Sequence, residues 1–94
     1  MNNNMKQTNN EQDKEPAQKF EDDRLMNVIW YLDGCERTTD AMNVNSFRSM
    51  QELPKPPEML MKGVTMLIHE TEKEDDFKEF MKLSRSERRT WKLR

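Results

Sequence analysis

Apolar residues crowd into one stretch of this 94-residue chain. Of 31 apolar residues, 26 fall between Phe20 and Leu83, which makes that window about 41% apolar, close to an ordinary globular value. Within it, Leu25, Val28, Ile29 and Leu32 recur at i, i+3, i+4 and i+7, one face of a helix. Asp22 and Asp23 sit where a first helical turn favours negative charge. Phe20 is placed to pack back on Leu25 as a hydrophobic staple. Met26, Trp30 and Tyr31 widen the apolar arc, so this helix reads as central. Gly34 is expected to stop it, since glycine adopts the left-handed conformation at little cost.

The next segments are less regular. Cys35 to Val44 is polar with little periodicity and reads as a loop. Phe47, Met50 and Leu53 predict a short helix from Asn45 or Ser46 to Leu53, ended by Pro54. Pro54-Lys55-Pro56-Pro57 is a stiff connector, with Pro57 in the first turn of the following helix. Leu60, Val64, Leu67 and Ile68 then lie at i, i+4, i+7 and i+8. Val64 to Ile68 alone would also suit a buried strand. A helix is the better reading, because the pattern runs on from Glu58 and no second strand is evident. Phe77, Phe80 and Met81 form a last apolar face, with Glu74 and Lys78 at a favourable i, i+4 spacing. Ser84-Arg85-Ser86-Glu87 has the capping-box form and predicts a helix restart near Ser84.

The expected fold is therefore all-α, a small bundle of three to four short helices over residues 20–83. A disordered polar tail over residues 1–19 precedes it, and a basic C-terminal helix or tail over residues 84–94 follows. The first six residues contain no apolar run of a secretory signal, and Val28–Leu32 is far too short to span a membrane. The default compartment is the cytoplasm.

Charge divides the chain unevenly. Residues 82–94 carry Lys82, Arg85, Arg88, Arg89, Lys92 and Arg94 against Glu87 alone, a net of +5, while residues 1–81 carry −7. A basic run with an aromatic suits a phosphate backbone, with Trp91 available to stack on a base. It equally suits a solvated helix end, or an internal answer to the acidic stretch Glu70–Glu79. A C-terminal helix-turn-helix is excluded by length, since the chain has no room for a recognition helix after Glu87. The acidic stretch lacks the spaced ligands and glycine of a calcium loop and reads as a solvated face. Cys35 and His69 are single residues of their kinds, and nothing pairs them as nucleophile and base. No motif implies a cofactor, metal or small-molecule ligand, and the chain reads as non-enzymatic.

Nine methionines, several on the predicted helices, shift attention to recognition. Methionine fills irregular cores but also forms adaptable binding surfaces. The segment Met59–Ile68 has more apolar side chains than one stripe needs, which suggests a helix shared with a partner. The favoured function is a protein-interaction module (adaptor, inhibitor or accessory subunit), self-associating or bound to another protein. Its expected contacts are Trp30, Tyr31, Met59, Met61 and Met66. The alternative is a small nucleic-acid-associated regulator using Arg85, Arg88, Arg89, Trp91 and Lys92. A core of this size has no disulfide or metal to reinforce it. The denaturation midpoint should therefore rise with protein concentration; a midpoint independent of concentration would show that the chain is stable alone.

Overall fold

The computed structural model describes residues 19–93. The tail expected over residues 1–19 lies, apart from Lys19, outside them, as does Arg94. The described residues form five helices and no strand: α1 (Asp22–Gly34), α2 (Thr38–Met50), α3 (Glu58–Glu72), α4 (Asp75–Phe80) and α5 (Arg85–Arg89). The fold is all-α.

Helix α1 is central and packs against α2, α3 and α5. It buries Leu25, Val28, Ile29, Tyr31 and Leu32. Its start carries Asp22 and Asp23 in the first turn, as the dipole favours. Phe20 and Leu25 are both in the core. The backbone of Phe20 is held by Gln51 at the end of α2: the Phe20 N–H donates to Gln51 Oε1 at 3.1 Å, and Gln51 Nε2 donates to the Phe20 carbonyl at 2.9 Å. One amide side chain thus satisfies both polar groups of a buried residue where no helix can.

The end of α1 differs from expectation. Gly34 remains helical, and Glu36 takes the left-handed conformation with φ 62°. The Glu36 N–H donates to the Asp33 carbonyl and the Arg37 N–H to the Leu32 carbonyl, both at 2.9 Å. This is the paired bonding of a Schellman stop, built on a glutamate. Gly34 has another task. A β-carbon there would overlap the ring and backbone carbonyl of Trp91, and the Gly34 carbonyl accepts a hydrogen bond from the Leu93 N–H at 3.0 Å. The glycine is a seat for the C-terminal segment.

Residues 38–44, expected in a loop, are the first half of α2. Its buried face is Ala41, Val44 and Phe47, spaced by three. Ala41 is small and its neighbours are Thr, Asn and Asp, so the stripe has little hydrophobic contrast. The helix ends at Met50, earlier than Leu53, which is exposed. Pro57 is the N-cap of α3 rather than a first-turn residue, and its carbonyl accepts the Met61 N–H at 3.0 Å. Residues Val64–Ile68 are helical. The buried face of α3 is Met61, Val64, Ile68 and Thr71, so the helix is rotated from the expected Leu60–Val64–Leu67–Ile68 phase. Thr71 is fully buried, and its hydroxyl donates to the Leu67 carbonyl at 2.7 Å.

Phe77 and Phe80 of α4 are buried against Tyr31, with ring centroids 5.2 and 5.6 Å away. Helix α5 opens on the expected capping box: the Glu87 N–H donates to Ser84 Oγ, and the Ser84 N–H donates to Glu87 Oε1 at 2.9 Å. The chain then returns to the core, where the Trp91 ring stacks on Tyr31 at 5.2 Å.

Two substitutions at the end of α1 should act in opposite directions. Gly34→Ala displaces Trp91 and should cost about 1–3 kcal/mol. Glu36→Gly relieves the left-handed strain and should add about 0.5–1 kcal/mol. Urea titrations of both check the assignment, and a neutral Gly34→Ala would contradict the seating of Trp91.

Candidate interaction surface

The buried aromatic group at the base of α1 has the densest chemistry. The Tyr31 hydroxyl donates to Glu74 Oε1 at 2.6 Å. Arg37 Nη1 donates to both oxygens of the same carboxylate, at 3.0 and 3.2 Å. Glu74 is the N-cap residue of α4, so its side chain ties α1 and the start of α2 to the α3–α4 junction. Burial, then the bond to Glu74, pushes the Tyr31 hydroxyl well above its usual range. Burial also raises the half-buried Cys35 thiol, reinforced by Glu74 and Asp76 and opposed by Tyr31 and Arg37. Every polar group here is answered by another, and the thiol is held away from its reactive thiolate form. His69 lies elsewhere, its ring 5.8 Å from Phe20. The cluster groups Cys35 with Tyr31, Arg37 and Glu74 and not with His69. Among the described residues, no group of three or more His, Cys, Asp or Glu side chains converges to hold a metal.

The five expected protein contacts separate into two kinds. Tyr31 and Met61 are core residues, 1% and 2% exposed, and reach no partner. The expected Leu60–Val64–Leu67–Ile68 phase leaves Met61 outside, and the rotation of α3 in the fold buries it. Trp30 is half-buried, with the Arg85 guanidinium 5.2 Å over its ring, and belongs to the α1–α5 junction. Met59 and Met66 are the contacts that remain, 88% and 59% exposed. Leu60 on α3 and Leu53 just before it are exposed as well and were not anticipated as contacts. Their signal was present in the surplus of apolar residues. Leu60 fits the core stripe by spacing, four residues before Val64, yet lies outside it.

The five expected nucleic-acid contacts also divide. Arg85 donates to Asp23 Oδ1 at 3.1 and 3.2 Å. Arg88 donates to Asn27 Oδ1 at 3.0 Å and to the Leu83 carbonyl. Trp91 offers its ring to Tyr31 and stands edge-on to Phe80 at 5.2 Å. Arg89 and Lys92 are exposed and make no ion pair among the described residues. The acidic stretch is answered chiefly from elsewhere. Arg24 grips Glu72 with two 2.7 Å bonds, Arg37 holds Glu74, and among the described residues only Lys82–Glu79 at 3.0 Å joins the two blocks. A shallow, open depression beside Trp91 is lined by Leu83, Glu87, Thr90 and Lys92.

No family model, curated protein or solved structure matches the chain. No helix of the described residues is long and apolar enough to cross a membrane.

Tyr31 and Cys35 are the chain's single tyrosine and cysteine, so each is its own reporter. Both hold their protons more tightly folded than unfolded. The stability they lend is complete below about pH 9, the ordinary thiol value, and declines as pH rises above it. Tyrosinate absorbance should therefore appear only with unfolding in an alkaline titration. Tyrosinate forming near pH 10 in the native protein would contradict the Tyr31–Glu74 bond.

Proposed function

We propose that this chain is a non-enzymatic protein-interaction module of the cytoplasm, an adaptor, inhibitor or small accessory subunit, which docks through the outer face of α3. The observation that carries the reading is the exposure of Met59 and Met66 on a helix whose other face is already committed to the core. Isolated exposed apolar residues are ordinary, but this face places Met59, Leu60 and Met66 on one helix, with Leu53 just ahead of it. Methionine suits such a surface because its unbranched, polarisable side chain adapts to a partner's shape.

The internal use of the C-terminal segment supports the same choice over nucleic-acid binding. Stacking on a base requires a free aromatic face, and Trp91 already gives one face to Tyr31 and packs edge-on to Phe80. Of the five side chains in that alternative, Arg85 and Arg88 are bonded within the fold and Trp91 is stacked, which leaves Arg89 and Lys92 without an ion pair or ring contact among the described residues.

Affinity capture with the wild type and with Met59→Ser/Met66→Ser compares the face with everything else on the surface. Both side chains point away from the core, so the variant should keep the wild-type melting temperature. Proteins recovered with the wild type should be lost from the variant; identical recovery by both would remove the proposal. Titration with generic DNA and RNA at low and moderate salt should show no salt-sensitive binding, and such binding would favour the alternative.

A further inference from the structure

Met59, Gly63 and Met66 lie at i, i+4 and i+7, along one line of α3. All three are exposed. Gly63 is the unusual member. It sits in the middle of a 15-residue helix, where glycine is the least favourable residue after proline. Nothing in the fold requires it, because a β-carbon at Gly63 would meet no atom within 4 Å. This is the reverse of Gly34, whose missing β-carbon is filled by Trp91. A glycine with open space above it allows another backbone to approach closely.

We propose that α3 pairs antiparallel with α3 of a second copy of this chain, crossing at Lys62–Gly63. This inference rests on the interaction reading of the same face and names its occupant. The pattern is self-complementary. A two-fold axis between residues 62 and 63 sets Met59 of one copy against Met66 of the other, twice, and each Gly63 level with Lys62 of its partner, so that the two glycines lie one residue apart along the axis at the crossing. Met59 and Met66 are about 10.5 Å apart along a helix axis, so the register is well separated from its alternatives. The charges agree with an antiparallel sense. Lys55 lies just ahead of α3 and Glu70 near its end; both are exposed and neither makes an ion pair among the described residues. Antiparallel packing brings Lys55 of one copy to the end that holds Glu70 of the other, whereas parallel packing sets like charges together. Lys62 flanks the crossing, where its stem can lie along the methionines and its ammonium stay in water. With Met59 and Met66 as its apolar contacts, the seam is small beside a standard interface of roughly 20–30 residues a side, so the association is weak.

Disulfide trapping tests the register. Met59→Cys and Met66→Cys are prepared separately, and the wild type, which carries Cys35 alone, sets the background. Oxidising the two variants together should give a mixed dimer well above background, while each alone should not. Each variant cross-linking with itself would indicate parallel pairing and overturn the proposal. Sedimentation of the wild type should show a mass rising from one chain toward two with concentration. Gly63→Leu should abolish that rise while keeping the fold, since its side chain meets nothing in the monomer. A mass fixed at one chain, or a rise unaffected by Gly63→Leu, would overturn the pairing. If that happens while capture still depends on Met59 and Met66, self-pairing fails and the interaction reading stands; if capture does not depend on them, both fail.

Discussion

The fold depends on what surrounds one phenol. Tyr31 stands at the base of the central helix with Phe77 and Phe80 on one side, Trp91 stacked on another, and its hydroxyl donating to Glu74. Its ring gains from apolar burial and from edge-on aromatic contacts, while its hydroxyl would be costly to bury without an acceptor. Glu74 supplies that acceptor and is itself balanced by Arg37. Helix α4, too short to be stable alone, is ordered by packing Phe77 and Phe80 against this residue, and α5 is held beside it by Arg85–Asp23 and Arg88–Asn27.

Arginine–carboxylate pairs complete the frame around that centre. Arg24 joins α1 to Glu72 at the end of α3, Arg48 joins α2 to Asp22 at the start of α1, and Arg85 joins α5 to Asp23. Pairs as exposed as these stabilise weakly in water. Their value is directional: each fixes where one helix end lies against another, and two-pronged guanidinium bonds restrict rotation as well as distance. The opposite charge blocks at the C-terminal end are therefore mostly not partners of each other. Each is distributed among the helices, and the surface left over is the outer side of α3.

Much of this could be read from residues alone. The α1 stripe is strong because its four large apolar residues are flanked by charge. The Ser84–Glu87 box was legible because capping is a local exchange of two hydrogen bonds. What escaped depended on contacts distant in sequence. Helix α2 is marked by Ala41 and Val44, too small to stand out among Thr and Asn, and is stabilised by the helix it packs on. The phase of α3 was ambiguous because apolar residues occupy nearly its whole circumference from Met59 to Ile68, and only tertiary packing selects Met61 over Leu60 for the core. That choice exchanges Met61 for Leu60 at the surface. Gly34 looked like a local stop and is a long-range seat for a ring 57 residues later.

The seating of Trp91 on Gly34 also bears on the order in which the molecule can be made. Synthesis delivers α1 first, with Tyr31 already in place but its neighbours Phe77, Phe80 and Trp91 still to come. The stack over the Gly34 backbone cannot close until residue 91 has left the ribosome. Until then α2 covers part of the apolar face of α1, but Tyr31 lacks its ring neighbours. The aromatic end of α1 therefore closes later than its contact with α2, and until Trp91 is seated that end is the hydrophobic surface open to chaperones.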